Sequence, residues 1–142
     1  MILVDANLLL YAYDAGAHRH AAAKRWLEQA LSGPEPVRFA WVTLLAFLRI
    51  GTHPTALASP FTLDEALGHV DSWLDQPAVG LLDPSERHWP MLAQLSKSAQ
   101  VRGPMMMNAH LAALAVEHGA VLCTADRDFA RFQGLQWRNP LE

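Results

Sequence analysis

Short apolar runs that alternate with amphipathic segments predict an α/β fold with a central, mainly parallel sheet. Ile2–Val4 and Val121–Thr124 are short apolar runs, typical of strands that are buried on both faces of such a sheet. The 142 residues contain no repeat, low-complexity tract or linker, so we expect one domain that spans residues 1–142. Hydrophobic residues make up 51% of the chain and charged residues 18%, which excludes a disordered protein.

The first half of the chain alternates strand patterns with helix patterns. After Ile2–Val4, a second strand is predicted at Val37–Phe39. Thr62 and Glu65 have the spacing of a capping box, which marks the start of a helix. We expect the apolar segment before Gly51 to be a largely buried helix that this glycine ends. The three predicted helices are His18–Leu31, Trp41–Ile50 and a segment from Thr62 to about Asp75.

The second half continues the same alternation. Asp83 to Glu86 contains a capping residue, a proline and an acidic residue, so a helix is predicted to begin there and to run to about Ser98. A further helix is predicted at Asn108–His118, with Gly119 as its stop. The three strands predicted in this half are Val79–Leu82, Val121–Thr124 and Leu135–Trp137.

Charge, cysteine content and hydropathy argue against a generally basic nucleic-acid binder, a disulfide-bonded protein and a membrane or secreted protein. The net charge is -3, so the chain lacks the basic excess that drives non-specific binding to nucleic acid, and any such contact must be local. Cys123 is the only cysteine and lies in an apolar run, so we expect a buried thiol and no internal disulfide. No apolar run approaches the roughly 18 residues of a membrane span, and the N-terminus does not resemble a secretory leader. We therefore expect a cytoplasmic protein with no membrane association.

Two predicted strands lead into aspartates. Asp5 follows Ile2–Val4, and Asp126 follows Val121–Thr124 after one further residue. Ligands of open α/β sheets bind outside the carboxyl ends of the strands, so both carboxylates are expected at one edge if their strands are neighbours. Asn108 is a third candidate for that edge. Oxygen atoms from carboxylates and amides are suitable ligands for Mg2+, which normally keeps several waters.

The same residues have structural interpretations. Asp126 and Asp128 can cap a short helix over Arg127–Phe132, and Asn108 is a good residue to cap the helix that follows it. Asp5 can cap a turn, although a carboxylate directly after a buried strand is costly without a partner. Periodicity leaves these alternatives open.

Four segments in this order resemble the PIN-domain ribonucleases of the VapC toxin family. They are Leu3–Ala12, Leu44–Ile50, Asn108–Ala115 and Thr124–Phe129. The resemblance implies a PIN-like three-layer α/β/α sandwich around a mainly parallel sheet, usually assembled as a homodimer. It also implies an Mg2+-dependent endoribonuclease, with Mn2+ as a substitute, that cleaves structured RNA such as tRNA or rRNA. The implied partner is a VapB-like antitoxin that silences the enzyme.

The resemblance carries over to individual residues. Asp5 and Asp126 correspond to metal-binding aspartates of the family, and Asp128 is at best a nearby helper. Asn108 stands where the family generally has an aspartate, so its amide oxygen would complete the metal site with one negative charge fewer. Ala46 stands where many members have a glutamate and offers no ligand. The implied catalytic and metal residues are therefore Asp5, Asn108 and Asp126.

These departures leave two functions open. The first is in-line attack of an activated water on an RNA phosphodiester, with phosphate contacts from a few arginines. The arginines expected near the site are Arg49, Arg102, Arg127 and Arg131. The second is an impaired PIN-fold module that binds antitoxin or RNA without cleaving. A phosphatase that uses Asp5 as nucleophile is disfavoured, because Asn7 cannot supply the acid or base that usually stands two residues later.

Overall fold

The computed structural model describes all 142 residues, which form five strands, six α-helices and a short 3-10 helix. The strands are β1 (Ile2–Val4), β2 (Val37–Ala40), β3 (Val79–Leu82), β4 (Val121–Cys123) and β5 (Trp137–Arg138). The α-helices are α1 (Ala6–Tyr13), α2 (His20–Ser32), α3 (Trp41–Gly51), α4 (Leu63–Leu74), α5 (His88–Ser98) and α6 (Met105–His118). The 3-10 helix is Arg127–Arg131. None of the helices combines the length and the apolar character that a membrane-spanning segment requires.

All five strands belong to one parallel sheet with the order β3-β2-β1-β4-β5. β1 lies at its centre and pairs with β2 on one side and β4 on the other. The chain thus builds the sheet outward from β1 in both directions, which creates a switch point between β1 and β4. A crevice forms outside the carboxyl ends of the strands at such a point.

The helices cover both faces of the sheet. Ile2 and Val4 point into a core that also contains residues of α1, α2, α3 and α4. Leu3 points the opposite way, into a second core formed mainly with α5 and α6. This alternation is the two-residue period of a strand buried on both faces. The predicted three-layer α/β/α sandwich is confirmed.

Several local predictions are confirmed as well. Thr62 and Glu65 form the capping box at the start of α4, where each side chain bonds the backbone N–H of the other residue. Gly119 ends α6 in the left-handed conformation, with φ of 67°. Cys123 is buried in β4 and is the only cysteine.

The chain between β1 and α2 differs from the prediction. Residues 6–13 form a helix that the sequence pattern did not indicate, and α2 begins at His20 rather than His18. The run Leu8-Leu9-Leu10 is apolar throughout, so the sequence shows no polar face that would indicate an amphipathic helix. In the structure, two of these leucines are fully buried. Asp5 starts α1 by accepting a hydrogen bond from the Ala6 N–H.

Two predicted helix starts are wrong. α5 begins at His88 and not at Asp83 to Glu86, because a distant side chain binds that segment: the N–H of Ser85 donates to Oε1 of Glu117. α6 begins at Met105, so Asn108 lies inside the first turn and does not cap the helix. Its side chain is therefore free of the capping role.

The prediction that Trp41–Ile50 is largely buried is also wrong for one face of α3. Leu44 and Phe47 are buried, whereas Trp41 is 54% exposed and Leu45 60% exposed. Gly51 lies within the helix, where the ring of Phe61 leaves no room for a β-carbon. α3 thus contributes to the core with one face and leaves the other accessible.

Replacing Phe47 by alanine is expected to lower the free energy of unfolding by about 3–5 kcal/mol, because a large buried ring is lost from the core. Urea denaturation measures the change. The matched control is Leu45→Ala, two positions along the same helix, which should change stability by less than about 0.5 kcal/mol. Equal losses for the two variants would contradict the assignment of the two faces of α3.

Candidate metal and catalytic site

Asp5 is held rigidly at the carboxyl end of β1. Its Oδ1 accepts a hydrogen bond from the N–H of Ala6 at 2.7 Å. Its Oδ2 accepts from Oγ1 of Thr124 at 2.8 Å and from Nδ2 of Asn7 at 3.2 Å. Three donors from two separate parts of the chain therefore orient this carboxylate.

Thr124 connects the two halves of the site. Besides donating to Asp5, its hydroxyl oxygen accepts from Nδ2 of Asn7 at 3.2 Å and from the N–H of Asp126 at 3.0 Å. Asn7 in turn accepts from the N–H of Ala125 at 3.3 Å. The sequence pattern alone does not identify Asn7 or Thr124 as site residues. Each lies two positions from a predicted aspartate, and this spacing is the one signal that points to them.

Asp126 and Asn108 are brought together. Oδ1 of Asp126 accepts from the N–H of Asp128 at 2.9 Å, so Asp126 caps the 3-10 helix, whereas Asp128 lies within that helix and does not cap it. Oδ2 of Asp126 lies 3.4 Å from Nδ2 of Asn108. The same amide nitrogen lies 3.1 Å from Sδ of Met105. Asp128 enters this network only through its backbone N–H, and its side chain is exposed.

A cleft of about 140 Å³ opens beside this network. Asp5 and Asn108 line it, and the remaining lining residues are Ala6, Val42, Thr43, Ala46, Met107 and Leu111. Ala46 occupies the wall without offering an oxygen. A wider apolar trough of about 580 Å³ shares three of these residues and extends along α3 to Arg49. The cleft and the trough therefore form one continuous depression.

The acidic residues have no positive partner. Burial raises the pKa of the Asp5 carboxyl, the hydrogen bonds from Thr124 and Ala6 oppose this shift, and the charge of Asp126 adds to it. Neither aspartate forms an ion pair with a lysine, arginine or histidine. Two carboxylates and an amide oxygen are hard ligands, and one or two carboxylates suffice for Mg2+ when waters fill the other positions. The donor set therefore fits such a cation.

The four arginines differ in their surroundings. Arg49 lines the trough next to the cleft. Arg127 forms an ion pair with Glu142 at 2.9 Å, at the surface. Arg102 and Arg131 are exposed and form no ion pair. Arg49 is thus the one arginine that the structure places on the wall of the depression.

Comparison with known proteins identifies the architecture that carries this site. The sequence pattern of the PIN domain family matches residues 2–135. The chain belongs to the VapC family of PIN domains. Ribonuclease VapC37 of Mycobacterium tuberculosis is 42% identical over 140 residues, which are 99% of this chain and 97% of the relative.

Solved structures share the fold of this PIN domain. VapBC-1 of nontypeable Haemophilus influenzae has a TM-score of 0.72 at 18% identity, with each chain covered completely. VapC20 of Mycobacterium tuberculosis, described as a toxin that cleaves the sarcin-ricin loop, has a TM-score of 0.69 at 18% identity and covers 96% of this chain and 99% of its own.

The PIN domain also contains a buried network that the sequence analysis did not predict. Nδ1 of His88 lies 2.7 Å from Oε2 of Glu117, and Nε2 of His88 lies 2.9 Å from Nδ1 of His110. His118 approaches Oε1 of Glu117 at 3.5 Å. The network joins the start of α5 to α6, so His110 has a packing role and is bonded to His88 instead of to the aspartates. No group of three acidic, histidine or cysteine side chains converges as a metal site.

Replacing Thr124 by valine is expected to destabilise the protein by about 2–3 kcal/mol, because a buried hydrogen-bond centre between the two chain segments is removed. Thr124→Ser, which keeps the hydroxyl, should avoid most of that loss. Chemical denaturation compares the variants, with the exposed Thr55→Val as the control. A valine variant as stable as the parent would exclude the connecting role of Thr124.

Acidification is expected to weaken the fold through His110. Burial and the neighbouring His88 lower the pKa of His110, and Glu117 opposes this shift. Below about pH 6.5 the unfolded chain binds a proton that the folded protein accepts only at lower pH, so stability falls as the pH drops through this window. His110→Gln should lose less stability over the same window in denaturation curves measured at a series of pH values. Parallel losses would contradict this assignment.

Proposed function

We propose that this chain is an Mg2+-dependent endoribonuclease toxin of a VapBC-type toxin-antitoxin system. The observation that carries the proposal is the pair of unneutralised carboxylates, Asp5 and Asp126, beside a cleft at the carboxyl edge of the sheet. The relative VapC37 is named a ribonuclease, which supports the reaction class. The description of VapC20 as a sarcin-ricin loop cleaving toxin supports a structured RNA substrate.

Each site residue has a defined task in this mechanism. Asp5 and Asp126 would hold the cation, with the amide oxygen of Asn108 as a further ligand. When bound, Mg2+ supplies positive charge that stabilises phosphoryl oxygens and lowers the pKa of a coordinated water. Thr124 and Asn7 keep Asp5 in one orientation through their hydrogen bonds, so the ligand does not have to be ordered at each turnover. Arg49, which lines the trough, would bind a neighbouring phosphate of the RNA.

The exposed apolar surface and the solved neighbours support the proposed protein partners. Five large apolar side chains of α3 and α4 are at least 38% exposed: Trp41, Leu45, Leu63, Leu67 and Leu74. Apolar surface of this kind marks protein interfaces. We assign it to a VapB-like antitoxin and to a homodimer, in a cytoplasmic complex. The solved neighbours include antitoxin complexes such as VapBC-1, which supports the first assignment.

A second candidate function has its own support. Asn108 donates toward Asp126 instead of adding a negative charge, and Ala46 leaves the cleft wall without a carboxylate. A PIN module that binds antitoxin or RNA without cleaving would have these features. The two functions differ in cation binding, because a non-cleaving module has no need of Mg2+.

The deciding experiment measures cleavage of total RNA with Mg2+, with Mn2+ and with chelator. Parent protein is expected to cut only with the metal, and Asp5→Asn to lose at least about 100-fold of the rate, because the first ligand is removed. Asn108→Asp should bind Mg2+ about tenfold more tightly in calorimetry, since it adds a charge to the site. Asp128→Asn, in the 3-10 helix that Asp126 caps, is the matched control and should behave like the parent.

Absence of Mg2+-dependent cleavage in both the parent and Asn108→Asp would reject the ribonuclease. If neither form bound Mg2+ or Mn2+ while an antitoxin of the VapB type bound tightly, the protein would be assigned as a non-cleaving binding module instead of a ribonuclease.

A further inference from the structure

Thr43 lines the cleft and carries a buried polar atom without a partner. The residue is 2% exposed, and its Oγ1 forms no hydrogen bond. A threonine within a helix can donate to the carbonyl four residues earlier, but Thr43 is the third residue of α3 and Phe39 lies in β2. Leaving a buried hydroxyl unpaired is costly, and such atoms are rare in native proteins.

The position of this hydroxyl sets it apart. Thr43 lines the same cleft as Asp5 and Asn108. One other buried side-chain atom lacks a partner, Oγ of Ser96, and that residue lines none of the cavities near the site. Thr43 does line the cleft, and a ligand there that accepts a hydrogen bond from its buried hydroxyl would explain why the fold leaves this donor unpaired.

The N-terminus of α3 contributes partial positive charge beside Thr43, in a cleft that Asp5 otherwise makes acidic. α3 has 11 residues and begins where β2 ends, at the edge of the sheet that carries the site. Its N-cap, Ala40, has no side chain that could accept from the first turn. The N–H groups of Trp41, Val42 and Thr43 have no acceptor within the helix, and the helix dipole adds partial positive charge there. Such a terminus favours an anion.

We propose that the N-terminus of α3 and the hydroxyl of Thr43 bind a phosphate oxygen of the ligand in the cleft. The cleft then has two unlike walls: an acidic wall from Asp5, where a cation fits, and the donor wall of α3, where a phosphate fits. Arg49, two turns further along α3 in the trough, adds a positive charge beside the next phosphate. The inference rests on the proposed function only in identifying this phosphate as part of RNA.

The test compares two substitutions of Thr43 and uses inorganic phosphate as the probe, in the presence of Mg2+. Thr43→Val keeps the shape of the side chain and removes the hydroxyl, whereas Thr43→Ser keeps the hydroxyl. We expect the valine variant to bind phosphate at least about tenfold more weakly in calorimetry, and the serine variant to bind like the parent. Phosphate should also shift the backbone amide resonances of residues 41–43 in the parent.

Stability supplies an independent readout. Without phosphate, Thr43→Val should melt about 3 °C higher than the parent, because it removes an unpaired buried polar group. Thr55→Val, in the exposed loop after α3, is the control for threonine-to-valine replacement and should change neither quantity. The combination of higher stability with weaker phosphate binding is what a purely structural role of Thr43 would not produce.

Unchanged phosphate affinity in Thr43→Val, or amide shifts that miss residues 41–43, would overturn the phosphate site. RNA cleavage separates this outcome from the proposed function. Weaker phosphate binding in the valine variant with no cleavage by any form would support the phosphate site and reject the ribonuclease. Metal-dependent cleavage with phosphate affinity unaffected by the valine substitution would support the ribonuclease and reject the phosphate site.

Discussion

Parallel pairing of β1 with β4 determines where the chemistry of this protein lies. The register places Val4 beside Cys123, so the residues that follow each strand leave the sheet side by side. Thr124 continues this alignment beyond the backbone ladder, because its hydroxyl bonds the carboxylate that ends β1 and the backbone N–H of Asp126. Chain segments about 120 positions apart are thereby fastened at the point where the topology switches direction. The remaining site residues are positioned relative to this junction.

α3 connects the site to the rest of the molecule. One face packs Leu44 and Phe47 into the core, a second supplies Val42, Thr43 and Ala46 to the cleft, and a third is exposed. Because protein interiors are close-packed, a change on the core face of this helix shifts the cleft wall as well. The same helix therefore contributes both to the stability of the fold and to the wall of the cleft.

Much of the fold was predictable from the sequence, because strands buried on both faces and amphipathic helices have local patterns that the chain shows clearly. The edge location of Asp5 and Asp126 followed from the same patterns, although the pairing of their strands did not. The start of α5 was not predictable, since a glutamate 32 positions away captures the N–H of Ser85. The roles of Asn7 and Thr124 depend on the same kind of distant contact. The sequence pattern starts α6 at Asn108, whereas the helix begins three residues earlier, at Met105, so the capping alternative for Asn108 does not apply.

β5 limits how this molecule can associate. The strand is two residues long, and the side chain of Arg138 is held at its end by an ion pair with Glu35. An incoming strand on that side would find few free backbone groups to bond, and short, charged edge strands protect sheets from such addition. Assembly on that side by extension of the sheet is therefore disfavoured. A partner on that side of the sheet must therefore engage helices or loops instead of β5.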